Sequence, residues 1–437
     1  MNADGKPKGA MYECKRIFQP IQVEWADSTK GLVRIINRSE TKNVNKYSAV
    51  LEIREDGKII LNKQIGSIDA APGTETVFPI LKWLPKMKPS AEYHATIRFV
   101  LMKDVEWAPN GFEIASNQLS IKNATITKAS NKSPGKFTIN ENMHGVRVDG
   151  KNFSFHAGGV FDGGLSSYIY QGEEQVFIPF LPNFKRPLTD NDRRGWKPQR
   201  KLKQWYEYEL KSKQTTVINT TKNELAITTE FSLINDSASV KINYTINNSG
   251  VIKVDYWLDV KPGLPNIPKI GIQGGVNKKY TQIEYFGRGP FENYIDKRFG
   301  ADAGVYNLSI KDFMESYVVP QENGNRTDIR WMYLSDPKTK DGLLIVADSL
   351  LSMSASPYTD ENIQNAKHTN KLKDAGYITL NIDLIQMGVG GNDSWSDVAA
   401  PLEQYQIRAR PYHYSFYIVP FNSKNKTAGE RSKEIKF

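Results

Sequence analysis

The sequence predicts an all-β protein, and three observations carry that prediction. Short runs between Ile21 and Phe99 alternate apolar and polar residues, with no helical period between them. Four longer runs at 215–221, 225–231, 238–246 and 251–258 follow one another as a meander, the last two joined by Asn247-Asn248-Ser249-Gly250. Turn signals separate the runs. The strongest is Glu55-Asp56-Gly57-Lys58, where Asp-Gly supplies both positive φ values of a two-residue hairpin.

Composition bounds the function. A chain of 437 residues is long enough for two or three domains with buried cores, and 39% hydrophobic with 11% aromatic content is ordinary for a globular protein. The single cysteine, Cys14, excludes an intrachain disulfide and a multi-cysteine metal site but leaves the compartment open. Residues 1–8 lack the apolar stretch of a signal peptide, and no run reaches the length of a membrane helix, so a soluble chain with no membrane partner is expected. The net charge of +10 is spread among 48 acidic residues, and the densest basic cluster, 185–203, is broken by Asp190, Asp192 and prolines. That pattern is a solvated lysine-rich surface and not a nucleic-acid stripe.

Taken in order, residues 1–17 do not read as the start of a domain, being a polar loop and then a stretch of helical composition. Residues 18–124 form the first domain. Ile21-Val23-Trp25, Val33-Ile35 and Val50-Glu52-Ile53 alternate, and Tyr93, Ala95, Ile97 and Phe99 share one face. About seven strands with no helical period in such a length predict an immunoglobulin-like sandwich, here without the antibody disulfide. Trp25, Trp83 and Trp107 read as core or rim packing. Residues 125–136 are a polar linker, and 137–437 form a second domain with longer strands and larger loops. Within it, 178–205 is a long, charged, irregular piece with four prolines, and 423–437 is a lysine-rich, frayed end.

The stretch that draws most attention is Met387-Gly388-Val389-Gly390-Gly391-Asn392-Asp393-Ser394-Trp395. A strand with one buried face, 377–384, precedes it, and three glycines then break the strand by taking positive φ. The loop tip offers an amide, a carboxylate, a hydroxyl and an indole. Such a mixture binds sugars, the indole covering the C–H face of a pyranose while the polar groups hold its hydroxyls. On pattern alone a buried loop tryptophan, capped by its own turn, stands ahead of that reading.

Three further segments stand in order before this loop. They are Leu181-Pro182-Asn183-Phe184-Lys185-Arg186-Pro187-Leu188-Thr189-Asp190-Asn191-Asp192, Glu284-Tyr285-Phe286-Gly287-Arg288-Gly289-Pro290-Phe291-Glu292-Asn293-Tyr294-Ile295-Asp296, and Tyr317-Val318-Val319-Pro320-Gln321-Glu322-Asn323-Gly324-Asn325-Arg326-Thr327-Asp328-Ile329-Arg330-Trp331. In order and spacing, all four resemble signatures of the C-terminal small-chain domain of β-galactosidases of glycoside hydrolase family 2. One departure is Arg193-Arg194-Gly195-Trp196, where relatives often carry a shorter glycine turn.

The resemblance implies that the second domain is a large antiparallel β-super-sandwich of galactose mutarotase-like fold. It makes Trp395 a sugar platform, with Asn392 and Asp393 beside it, and places Glu322, Asn323, Gly324 and Asn325 at the active-site entrance. Both catalytic glutamates of the family lie on a barrel upstream, so no catalytic residue is expected here, and 1–17 becomes the segment leaving that barrel. The family's divalent metal and sodium belong to the barrel, and no cofactor is expected in this chain. The expected partners are the barrel domain or large subunit and a β-galactoside, with a homo-oligomer left open and either cytoplasm or periplasm open for the parent.

Read without the resemblance, Glu292 with Glu322, or Asp190 with Asp192, supply the two carboxylates that a retaining glycosidase holds about 5–5.5 Å apart. The competing reading ties Asp190, Asn191 and Asp192 into a turn. It has Glu292 and Glu322 bonding backbone amides or pairing with Arg288 and Arg326. His94, His144, His156, His368 and His413 show no metal-ligand spacing, and only His156 and His368 have carboxylates within distant reach for an epimerase-type reaction. No helix pattern follows Gly388-Val389-Gly390-Gly391, which speaks against a dinucleotide site. The functional expectation is the non-barrel, C-terminal portion of a retaining β-galactosidase. The alternatives are the small subunit of a two-chain enzyme and a non-catalytic carbohydrate-binding module.

Overall fold

The computed structural model describes residues 5, 7–122, 136–158, 163–221 and 224–435. The expected linker lies, but for its last residue, outside the described residues. The chain is all-β. A helix, α1 (Gly9–Phe18), leads into seven strands: β1 (Ile21–Asp27), β2 (Leu32–Asn37), β3 (Tyr47–Glu55), β4 (Lys58–Gly66), β5 (Glu75–Pro79), β6 (Tyr93–Leu101) and β7 (Glu113–Lys122). They form two antiparallel sheets, β1-β2-β5 and β4-β3-β6-β7, so the chain passes between sheets after β2, β4 and β5 as an immunoglobulin-like sandwich does. One apolar core lies between them, with Val23, Val33 and Ile35 facing Leu51, Ile53, Tyr93, Ile97 and Phe99.

The Asp56-Gly57 hairpin forms as expected, with φ of 50° and 78°. Its tip has a second role. The backbone amide of Val305 donates to the Gly57 carbonyl at 3.0 Å, and a Cβ on Gly57 would stand 2.7 Å from the Phe286 ring. In β3 the core face is Tyr47, Ala49, Leu51 and Ile53, one residue out of step with the sequence reading. Glu52 is nonetheless buried, because the second body covers that outer face and Arg54 and Arg98 hold its carboxylate. Trp25 and Trp83 are half-buried at the rim of the core, and Trp107 is exposed.

The remaining strands, from Thr138–Asn142 to Tyr412–Asn422, pair into one continuous antiparallel super-sandwich around one large core, with a smaller cluster that includes Phe286, Trp331 and Val419. The meander runs as expected through Lys211–Thr220, Glu224–Leu233, Ala238–Asn247 and Ile252–Val260, each paired with the next. Other segments differ from the sequence reading. The irregular piece opens within a strand, Val176–Asn183, that pairs with Lys269–Val276 through two register shifts. The final segment is not frayed over its described part. Ala428–Lys433 is a helix closed by a Thr427–Glu430 capping box, packed on Trp331 and tied to Asp56 through Lys433.

Polar contacts join the two bodies. The Gln118 amide exchanges hydrogen bonds with the backbone of Ala303 at 2.9 and 2.7 Å, and Arg330 forks onto Glu92. Next to that pair, burial, together with the Arg330, Arg288 and Arg54 charges, pushes His94 down to about 3 and keeps it neutral. Helix α1 brackets the junction. Glu13 accepts from the amides of Phe299 and Gly300, Tyr12 stacks on Phe291 at 4.3 Å, and Arg16 meets Asp302 at 3.2 Å.

Candidate functional site

The four sequence segments converge on the 387–399 loop. Its strand, Ile378–Gln386, sits between Lys269–Val276 and Asp341–Ser356 and is buried on both faces over most of its length, not on one. From the first segment, the fully buried Arg186 donates to the carbonyl oxygens of Met387 at 2.8 Å and Gly388 at 2.9 Å. Asp192 faces Arg186 at 3.4 Å and accepts from the Thr189 amide and the Trp196 indole. It therefore ties its own turn, as one of the two readings held. From the second segment, Asp296 accepts from the amides of Val389 at 2.7 Å and Gly390 at 2.9 Å.

None of Gly388, Gly390 and Gly391 takes positive φ. Two are glycine for room. A Cβ on Gly388 would stand 2.5 Å from an Asp296 oxygen, and one on Gly391 would stand 2.4 Å from the Ala399 carbonyl carbon. Gly195, from the stretch that departs from the family pattern, is likewise pressed on Ala399.

The loop tip is arranged by its own turn. Asp393 accepts from the amides of Trp395 and Ser396 and from the Ser396 hydroxyl at 2.5 Å. These bonds, the Ser396 hydroxyl first, hold its carboxyl below the usual range. The Asn392 amide donates to the Val398 carbonyl while its side chain is exposed. Trp395 is 75% exposed, so the buried-tryptophan reading is wrong although the capped turn exists.

The third segment supports this arrangement from below. Glu322 is buried, accepts from the Gln386 amide at 3.0 Å and from the Tyr294 hydroxyl at 3.3 Å, and is pushed up to about 8, chiefly by burial. Gln386 also accepts from Arg186, so one chain of contacts runs from Glu322 to the loop. Asn325 is buried and exchanges hydrogen bonds with the backbone of Asn293. Gly324 has φ of 77° and donates to Glu292. Asn323 lines an open cavity of about 230 Å³ with Tyr317 and Tyr358.

Glu292 bonds a backbone amide as expected, but its cation is Lys297 at 2.7 Å, and Tyr317 donates to it as well. Burial opposes its charge, yet Lys297 and these hydrogen bonds hold its carboxyl below the usual range. The arginines named as partners are engaged elsewhere, Arg288 with Asp328 and Arg326 with the Pro290 and Phe313 carbonyls. The Glu292 carboxylate is thus buried, with its oxygens engaged by Lys297, Tyr317 and the Gly324 amide. His156 contacts Ser166 and His413 stacks on Trp257, and among the described residues no group of three or more His, Cys, Asp or Glu gathers as a metal site. Sequence reasoning missed the supporting role of Arg186, Asp296, Gln386 and Gly195. Arg186 and Asp296 lie within the quoted segments, but nothing local shows what they reach.

The fold and this bolted loop define a two-body, all-β chain that presents an indole. Comparison with known proteins gives the family. The model of the β-galactosidase small chain matches residues 149–418 and that of β-galactosidase domain 4 matches 33–122, so the chain belongs to the β-galactosidase small-chain family. A β-galactosidase of Priestia megaterium is 30% identical over 425 residues, covering 96% of this chain and 40% of that protein. One of Streptococcus thermophilus is 29% identical over 402 residues, covering 89% and 37%. The chain thus spans about two fifths of the length of these relatives. A solved GalM/aldose epimerase homologue from C. elegans covers 66% of this chain and 99% of its own at TM-score 0.34 and 8% identity, too weak a likeness to argue from.

Proposed function

We propose that the chain is the C-terminal, non-barrel part of a β-galactosidase that hydrolyses terminal β-galactosides with retention, and that its loop supplies Trp395 as the platform under the sugar. One observation carries this reading. Trp395 is exposed at the tip of a loop that Arg186 and Asp296 fix from behind, which is how an indole is presented to a ligand and not to a core. The nucleophile and acid/base glutamates are assigned to a barrel domain or large subunit, along with any divalent metal and sodium, and α1 is assigned as the connection to it. The relatives' name and their greater length support the assignment.

The test uses the chain joined to, or co-purified with, its barrel. Trp395→Ala is expected to lower kcat/KM for a nitrophenyl β-galactoside about 10- to 100-fold, with Trp395→Phe recovering part of the loss. Unchanged kcat/KM in Trp395→Ala, or turnover by the purified 437-residue chain alone, overturns the reading.

A further inference from the structure

A cavity of about 300 Å³ opens between the strands Val176–Asn183, Lys269–Val276 and Ile378–Gln386 and the helix Asp360–Asn365, and no residue of the 387–399 loop lines it. We propose that this cleft is a binding site for a single neutral pyranose, separate from the loop that carries Trp395.

Register explains how the cleft is built. Gln273 and Gly274 lie on its central strand, which pairs Gly275 with Thr379 on one side and with Ile178 on the other. Gly275 has no side chain, and a Cβ there would stand 2.6 Å from a ring carbon of Tyr377. The Tyr377 ring therefore lies directly against the strand and lines the cavity, as do Tyr208, Leu210 and Pro182. These surfaces suit the C–H faces of a sugar ring.

The polar groups point the same way. Gln273 donates to Asp360 at 2.8 Å and to Asn381 at 2.9 Å, which fixes an amide and a carboxylate at the cavity wall. Asn183 and Thr379 also line the cavity and are only 6% and 4% exposed. The Asn183 oxygen accepts from the Lys185 amide at 3.1 Å, but the Asn183 nitrogen and the Thr379 hydroxyl have no protein partner. Buried polar atoms are almost always hydrogen-bonded, so two orphans within the wall of one cavity, closed to solvent in this structure, mark where a small shift of the wall would give ligand hydroxyls a partner. The charged residues lining the cavity, Lys185 and Asp360, are opposite in sign, which favours a neutral ligand over an anion. The volume, at the small end for ligand sites, fits one ring and not an oligosaccharide.

The test is an amide-shift titration of the full chain with methyl β-galactopyranoside and methyl β-glucopyranoside. At least one sugar is expected to move the amides of Gly274, Gly275 and Thr379 with a Kd of about 1–10 mM. Thr379→Val keeps the side-chain shape and should weaken binding about fivefold or more, as should Tyr377→Leu. The inference falls if neither sugar moves these amides up to about 100 mM. It also falls if the shifts are confined to residues 388–398 and vanish in Trp395→Ala, or if Thr379→Val and Tyr377→Leu, both folded, bind as the parent does. Because the readout is local, failure here leaves the role assigned to Trp395 untouched.

Discussion

Arg186 donates to the carbonyl oxygen of Gly388 at 2.9 Å across 202 positions of sequence, and that bond joins the first of the four segments to the last. The guanidinium is buried, is only partly balanced by Asp192, and its other terminal nitrogen donates to Met387 and Gln386, while its Nε has no protein partner. Removing it strands the Asp192 charge and frees two loop carbonyls. Arg186→Met should therefore cost about 3 kcal/mol in urea unfolding. In hydrogen exchange, the Val389 and Gly390 amides should open faster than the rest of the strand before them.

The glycines of the loop separate two physical explanations. If positive φ were the reason for them, alanine would be strained at all three positions; the structure instead shows ordinary φ and unequal room. Gly391→Ala and Gly388→Ala should each cost about 1–3 kcal/mol, because the nearest atoms are backbone or the half-buried Asp296 carboxylate already in use. Gly390→Ala, whose Cβ would meet nothing nearer than 3.7 Å, should stay within about 0.5 kcal/mol of the parent. Equal losses at the three sites would restore the conformational explanation.

That contrast shows what was legible in the sequence. Alternation and Asp-Gly chemistry are local, so the sandwich strands, the 56–57 hairpin and the meander could be read directly. Glu52 could not, because its burial comes from Arg54, Arg98 and the second body folding over the outer face of β3. The loop itself stood out in sequence, but the groups that hold it, Arg186 and Asp296, act over distances that no periodicity encodes. The pairing of Glu292 was misread for a similar reason. Arg288 is nearer in sequence than Lys297 by only one position, and geometry, not proximity along the chain, chose the lysine.

The C-terminal helix offers a signal that was present and overlooked. Thr427 and Glu430 stand at capping-box spacing, and both reciprocal bonds form. Thr427→Ala should cost about 1 kcal/mol and should speed tryptic cleavage at Arg431 and Lys433. A frayed segment would be cut at the same rate in both proteins.

The last prediction concerns pH and has a definite sign. Burial pushes Glu322 from 4.5 up to about 8, against the opposing charges of Lys269 and Arg186 and with the help of Asp360 and Asp383. Its folded value lies above its unfolded one, so between about pH 4.5 and 8 the unfolded chain releases a proton that the folded chain retains. Stability from this group is full below that window and falls as pH rises through it. Asp383, pushed up to about 7 by burial beside Lys269, acts in the same direction. Glu292 acts oppositely: its carboxyl is held low, so its contribution is lost only as pH falls below the usual carboxylate range. Glu322→Gln keeps an acceptor for Gln386 and removes the titration. Its melting temperature should match the parent at pH 5, exceed it by about 2 °C or more at pH 8, and depend less on pH between them. A parent and variant that fall in parallel from pH 5 to 8 would show that Glu322 is already charged in the folded chain, with Lys269 and Arg186 outweighing its burial.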